Sequence, residues 1–317
     1  MIFEEKTSIN CITQHDELLS FIKVYKDMGD TYLLSPNYYF LTGRKGLYVY
    51  KNNSSGLIFC LHPNLEATTI VFPLVNREQT SLFIDFLLLQ HPLIKRNIRV
   101  IRIQNDYMKQ LKILNSQSIK YEVVQEDILD WRYPSIQIST ENILNLKGKK
   151  LRDLRYNINK INYESIHCER YSIQKHLSQS LELTKKWCLK NISQEFDFDN
   201  LYSPYEFILK NSQKLKGIHG YVLYYNEKLV AFNFLDEPLF SNDEMVSLIF
   251  IADVDFKGIP SYMRYIMCKI LHPKIKKISI GGSETYGLYK FKKKFAPTNE
   301  LYLSSLEINT VANKELR

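Results

Sequence analysis

Two segments carry side chains whose types and spacing suit group transfer. The first spans residues 144–161 and reads Leu-Asn-Leu-Lys-Gly-Lys-Lys-Leu-Arg-Asp-Leu-Arg-Tyr-Asn-Ile-Asn-Lys-Ile. Leu151, Leu154, Ile158 and Ile161 recur at intervals of three and four, which predicts a helix over 146–161 with one apolar face. Its remaining positions hold Lys147, Lys149, Lys150, Arg152, Arg155 and Lys160, so the rest of the helix is either a solvated surface or an anion-binding face. The second segment, residues 281–297, reads Gly-Gly-Ser-Glu-Thr-Tyr-Gly-Leu-Tyr-Lys-Phe-Lys-Lys-Lys-Phe-Ala-Pro. Here glycines precede a predicted helix, 286–295, whose first turns carry Lys290 and Lys292. Free N–H groups, the helix dipole and a lysine together favour a phosphate or a developing oxyanion.

Other chemistries lack their residues. There is no Gly-x-x-x-x-Gly-Lys-Ser/Thr, no Gly-x-Gly-x-x-Gly after a strand, no His-Glu-x-x-His and no Gly-x-Ser-x-Gly. His62, His91 and His219 read as ordinary loop or sheet residues, and Trp131 and Trp187 as packing anchors. The five cysteines are scattered without a Cys-x-x-Cys or zinc spacing, which predicts reduced thiols in a cytoplasmic protein and no metal.

The elements that must position these segments follow from the rest of the chain. It has 317 residues, 45% hydrophobic and 24% charged, a globular composition long enough for two domains. The formal charge of +8 favours an anionic partner such as a nucleotide, tRNA or a lipid headgroup. Residues 1–10 have no apolar leader, and the longest apolar run, 81–94, is broken by Asp85, Gln90, His91 and Pro92; a soluble or at most peripheral protein is expected. Patterning in the first half predicts a helix over 16–26, a hairpin of 46–50 with 56–62, and a strand over 68–74. A helix over 78–90, a strand over 97–103, a helix over 106–114 and a strand over 118–125 follow. A connector near 130–140 leads to the basic helix. The second half predicts helices over 174–191 and 203–215, then a hairpin of 220–225 with 228–235 turning at Asn226 and Glu227. A strand over 245–252, a helix over 260–271, a strand over 277–280, the 286–295 helix and a strand over 301–308 complete it. A hairpin followed by strand, helix and strand occurs in both halves, which hints at a duplicated mixed α/β unit.

The run Asp130-Trp-Arg-Tyr133 and the basic helix resemble the catalytic-domain family of phosphatidylglycerol lysyltransferases. The ending Gly-Leu-Tyr-Lys-Phe-Lys-Lys-Lys-Phe-Ala-Pro is similar to that family's ending and to the "GLYxFKxxF" ending of the Fem peptidoglycan aminoacyltransferases. Residues 220–232 match the family's hairpin and 250–258 its "EKADpeyrG" strand. The resemblance is collinear from about residue 125 to 308. It implies an α/β (α+β) fold of two GNAT-like (acyl-CoA N-acyltransferase) domains in tandem, with mixed, mostly antiparallel sheets flanked by helices. The expected N-terminal domain is 1–138 and the expected C-terminal, catalytic one 139–317.

The implied chemistry is transfer of an activated acyl group to an amine or hydroxyl, with no tightly bound cofactor. The donor would be an aminoacyl-tRNA or, as in relatives, an acyl-CoA. Lys292 matches the family's retained lysine and would stabilise the oxyanion. Asp253 and Glu284 would act as base or hold the acceptor amine. Arg152, Arg155, Asn157, Ser283, Tyr286 and Lys290 would bind donor or acceptor. The chain departs from the lysyltransferases in having Phe250 and Ile251 for Glu-Lys and Tyr289 for an arginine, and no flippase-like membrane portion is expected within these 317 residues. Residues 255–260 hold one glycine where acetyl-CoA enzymes have a two-glycine pyrophosphate signature. Three readings stand at this point. The first is an aminoacyl-tRNA-dependent transferase acting on a small molecule, peptide or lipid headgroup. The second is an acyl-CoA-dependent N-acyltransferase, and the third a non-catalytic module binding RNA or an anionic membrane.

Overall fold

A computed structural model describes residues 7–9, 15–52, 55–63, 65–89, 97–104, 119–124, 132–161, 163–191, 198–283 and 285–310. In chain order its first elements are β1 (Thr7–Ile9), α1 (His15–Ile22), α2 (Pro36–Thr42), β2 (Leu47–Asn52), β3 (Ser55–Leu61), β4 (Thr68–Val71), α3 (Arg77–Leu89), β5 (Asn97–Gln104) and β6 (Ile119–Val124). Then come β7 (Ser135–Ser139), α4 (Thr140–Asn145), α5 (Arg152–Asn159), β8 (Ile166–Arg170), α6 (Ile173–Asn191), α7 (Phe198–Asn211), β9 (Ile218–Tyr225), β10 (Lys228–Asp236) and β11 (Glu244–Ala252). The last are α8 (Ile259–Leu271), β12 (Lys277–Ser279), α9 (Tyr286–Lys293), β13 (Asn299–Leu301) and β14 (Leu303–Thr310). They form two compact units: Met1–Ser135 with Gly282–Glu284 and Leu301–Arg317, and Ile136–Gly281 with Thr285–Glu300.

The first unit is a seven-stranded sheet in the order β1-β2-β3-β4-β5-β14-β6. β3 is an apolar run because both its faces are covered. Leu57, Phe59, Val71, Phe83, Phe86, Val100 and Leu306 make the core between α3 and the sheet. α2 starts where Ser35 accepts the Tyr38 N–H and Pro36 supplies a preset φ. The buried guanidinium of Arg102 on β5 grips Asp30 through two bonds of 2.7 and 2.8 Å, fixing the segment before α2 to the sheet.

The second unit is also a seven-stranded sheet, ordered β13-β7-β12-β11-β10-β9-β8. The β9–β10 hairpin turns at Asn226 and Glu227, whose φ values of 49° and 61° are those of a two-residue primed turn. α8 covers one face, its Ile259, Met263 and Met267 packing in one core with Leu151, Leu154 and Ile158. Each sheet contains a parallel pair joined through a helix: β4 and β5 through α3, β11 and β12 through α8. The fold is thus mixed α/β, two mostly antiparallel sheets flanked by helices, as expected.

Three expectations are corrected. The expected second domain, 139–317, contains β14, but β14 pairs with β5 and β6 of the first unit's sheet, so the chain's end returns to the unit of its beginning. The expected single strand over 301–308 is two, β13 and β14, because consecutive residues are claimed by different sheets. The expected continuous helix over 146–161 is broken: Leu146 and Gly148 take φ of 49° and 86°, and only after a turn of 3-10 helix does α5 begin. The predicted helix over 106–114 lies outside the described residues, as do His91, Trp131 and Glu284.

Candidate active site

The site is built where β11 and β12 part. Their parallel register runs Glu244↔Lys277, Met245↔Ile278 and Val246↔Ser279. Beyond it, β11 continues to Ala252, while the chain after β12 leans to β7: Ile280 N–H donates to Ile136 O at 2.8 Å, and Ile136 N–H to Gly281 O at 3.0 Å. Two parallel strands that diverge leave main-chain groups of β11 open to a ligand, the arrangement in which open α/β sheets bind substrates. Beside the parting point, Ser247 donates to Asn233 Oδ1 at 2.8 Å, and Arg264 of α8 donates to Ser247 Oγ at 3.0 Å. Arg264 is only 3% exposed, and its guanidinium lies 4.6 Å from the Phe250 ring centre. Sequence reasoning missed this network; an arginine inside an otherwise apolar helix face was its one visible signal.

The turn from β11 into α8 carries Asp253. This residue is 3% exposed, and both its oxygens are engaged: Oδ1 accepts the Asp255 N–H at 3.1 Å, and Oδ2 accepts Lys186 Nζ at 2.7 Å with Lys228 Nζ at 3.8 Å. Lys186 also pairs with Asp255 at 2.7 Å, and Lys190 with Asp255 at 2.5 Å. Those two ammonium groups hold the Asp255 carboxyl down at about 2, and the two carboxylates push Lys186 up. The geometry has Asp253, expected to act as base or to hold the acceptor amine, clasping α6 to the turn. Its partner Lys186 on α6 lies 67 residues earlier in sequence and was invisible there.

Some backbone donors of the turn are bonded within it. Phe256 N–H reaches Asp253 O at 3.3 Å and Ile259 N–H reaches Phe256 O at 3.2 Å, while Pro260 has none. Gly258, at φ 94°, lets the turn approach α5: a Cβ there would stand 2.7 Å from Asn157 O.

The residues expected on the basic helix divide. Arg155 donates to Leu146 O and, at 2.8 Å, to Gly148 O, closing the carbonyl end of α4. Asn157 Nδ2 lies 3.4 Å from Ser261 Oγ and ties α5 to α8. These two are braces. Arg152, its side chain 76% exposed and 3.8 Å from Asp153, faces solvent and stays a candidate for anion contact.

In α9 the expected convergence of lysines and helix start is corrected. The helix has eight residues, and Lys290, Lys292 and Lys293 occupy its last turn, while the Leu288 N–H of its first turn is taken by Thr285 Oγ1 at 3.2 Å. Lys290 and Tyr286 are brought together, the ammonium 4.8 Å from the ring centre. Lys292 is half-buried. Ser283 belongs to the first unit, where its carbonyl accepts Tyr133 N–H at 3.1 Å and its hydroxyl is buried without a hydrogen-bond partner among the described residues. Cysteine chemistry has no support here, since burial pushes the thiols of Cys168, Cys188 and Cys268 up to about 12.

By sequence the chain matches no family model and no curated protein. By structure it resembles several solved proteins. A conserved protein of unknown function from Bacteroides thetaiotaomicron matches with TM-score 0.75 at 17% identity, over 96% of this chain and 98% of the other. The C-terminal domain of a putative lysylphosphatidylglycerol synthetase from Agrobacterium fabrum matches with TM-score 0.59 at 13% identity, over 96% and 95%. FemX matches with TM-score 0.59 at 16% identity, over 99% of each chain. The chain therefore has the tandem GNAT-like fold common to the lysylphosphatidylglycerol synthetase and Fem proteins, as its motifs implied. Among the described residues, no helix is long and apolar enough to cross a membrane.

Proposed function

We propose that the second unit is an acyltransferase that moves an aminoacyl group from aminoacyl-tRNA to an amine or hydroxyl of a small molecule, peptide or lipid headgroup. Proteins named for lysylphosphatidylglycerol synthesis and as FemX share its fold, which supports the class of reaction. In that reaction the acceptor's lone pair attacks the ester carbonyl and an oxyanion forms. The ribose oxygen then leaves as the carbonyl reforms. Lys292 is the cation assigned to the oxyanion, and the proton that the acceptor loses ends on the ribose oxygen. Tyr286 and Lys290 are assigned to substrate contact. The parting strands β11 and β12 would receive the acyl group. The charged tRNA pool makes the cytoplasm the site of the reaction, and a lipid acceptor would require only peripheral membrane contact.

The observation that favours tRNA over acyl-CoA is the turn before α8. A diphosphate bound at a helix start needs free N–H groups and no competing carboxylate. In this turn the N–H groups of Asp255, Phe256 and Ile259 are already bonded and Pro260 has none, and the ionised Asp255 carboxylate opposes a diphosphate at the N–H groups that remain, those of Lys257, Gly258 and Ser261. The net charge of +8 suits a polyanion. A native mass spectrum of the protein purified at low salt tests the choice. Co-purifying RNA of tRNA size that leaves as salt rises is the expected result; an added mass equal to CoA or an acyl-CoA would overturn it.

A further inference from the structure

The outer face of α5 presents an aromatic ring among cations. Tyr156 is 60% exposed, and Lys160 Nζ lies 4.1 Å from its ring centre. Lys149 and Arg152 precede it by seven and four residues, so Lys149, Arg152, Tyr156 and Lys160 line one side of the helical segment, all exposed. A large exposed ring covered on one side by an ammonium is a stacking platform for a flat, electron-rich partner, and the flanking cations suit phosphates spaced along a strand.

From this we infer that Tyr156 stacks on an unpaired base of RNA, with Lys149, Arg152 and Lys160 tracking the adjoining phosphates. The inference rests on the aminoacyl-tRNA reading and gives it a contact that no motif assigned. Charge complementarity selects the occupant. An anionic membrane would also attract the cations, but a bilayer helix needs an apolar face to insert. The apolar residues of this helix, Leu151, Leu154 and Ile158, are instead all buried in the unit's core. The braces described above suit a rigid platform: Arg155 holds the segment's start, and Asn157 and Gly258 hold its end.

Fluorescence anisotropy with a short single-stranded RNA of mixed sequence tests the contact, with folding of each variant checked by thermal melting. Tyr156→Ala is expected to weaken binding roughly 5- to 100-fold, and Tyr156→Phe to retain it, because the stacking face remains. Arg152→Ala and Lys149→Ala should each weaken binding and reduce the slope of log affinity against log salt by about 0.7. Vesicles of phosphatidylserine and phosphatidylcholine should bind wild type and Tyr156→Ala alike. RNA affinity unchanged in Tyr156→Ala would overturn the platform, while aminoacyl transfer by the wild type would leave the proposed function standing. Vesicle binding lost in Arg152→Ala, with RNA binding intact, would reassign the face to a membrane. A wild type that binds no RNA and turns over acyl-CoA would sink the donor reading together with the platform.

Discussion

The main-chain oxygen of Asn157 occupies the space where Gly258 would carry a Cβ, with only 2.7 Å between the two positions. That approach joins α5, which bears Arg152 and Tyr156, to the turn that bears Asp253, and it is available to glycine alone at φ 94°. Helix and turn are held as one piece, so substitutions in either should register in the other.

Gly258→Ala is therefore expected to destabilise the protein by about 2 kcal/mol or more, from left-handed strain and displacement of α5 together. Gly148, at φ 86°, has open space where a Cβ would stand, with nothing within 4 Å, so Gly148→Ala should cost only the strain, about 1–2 kcal/mol. Chemical denaturation of both variants checks the difference; equal losses would contradict the packing argument.

Asp253→Asn removes the charge that both Lys186 and Lys228 face. A loss of about 1–3 kcal/mol is expected, as for hydrogen bonds to charged groups. Lys186→Met should reproduce much of it, and the double variant should lose less than the sum, because the two residues share one interaction. Strict additivity in such a cycle would rule out the clasp.

Acid should loosen the same clasp. The folded Asp255 carboxyl sits at about 2, below its ordinary 3.8, so its contribution is fully present above about 4 and is lost as pH falls toward 2. Melting temperatures of wild type and Asp255→Asn measured across that range should converge as pH drops. A gap between them that stays constant would refute the linkage.

Arg155→Ala and Arg152→Ala separate bracing from binding. The first removes the bonds to Leu146 O and Gly148 O and should lower stability by about 1 kcal/mol. The second touches an exposed side chain and should leave stability within about 0.5 kcal/mol while weakening RNA binding. The reverse pattern, a stable Arg155→Ala and an unstable Arg152→Ala, would show that the two roles have been exchanged.

Lys292→Ala is expected to slow transfer about 100-fold with little change in KM, as for loss of one oxyanion-stabilising group. Unchanged kcat in a folded variant would remove Lys292 from the mechanism.

Local signals carried much of the fold into the sequence. Asn226 and Glu227 announced the hairpin turn, and the apolar spacing of Leu151, Leu154, Ile158 and Ile161 announced a buried helix face. Pro260 marked the start of α8. What stayed hidden depends on distant partners. Arg155 reaches back to carbonyls nine and seven residues away, in a loop that Gly148 opens, so a run of basic residues that looks like one helix is two segments. Leu301 and Leu303 read as one strand because alternation does not reveal which sheet claims each residue. Asp253 showed no partner in the sequence because Lys186 is contributed by another helix.

A single-turnover assay distinguishes the two donors. Wild-type protein would be mixed with tRNA bearing labelled amino acids, or with labelled acetyl-CoA, in the presence of a cell-extract fraction supplying amine and hydroxyl acceptors. Acceptor-dependent loss of label from the tRNA is expected, abolished by high salt and slowed in Lys292→Ala, with acetyl-CoA untouched. Label leaving acetyl-CoA while the aminoacyl-tRNA stays intact would contradict it.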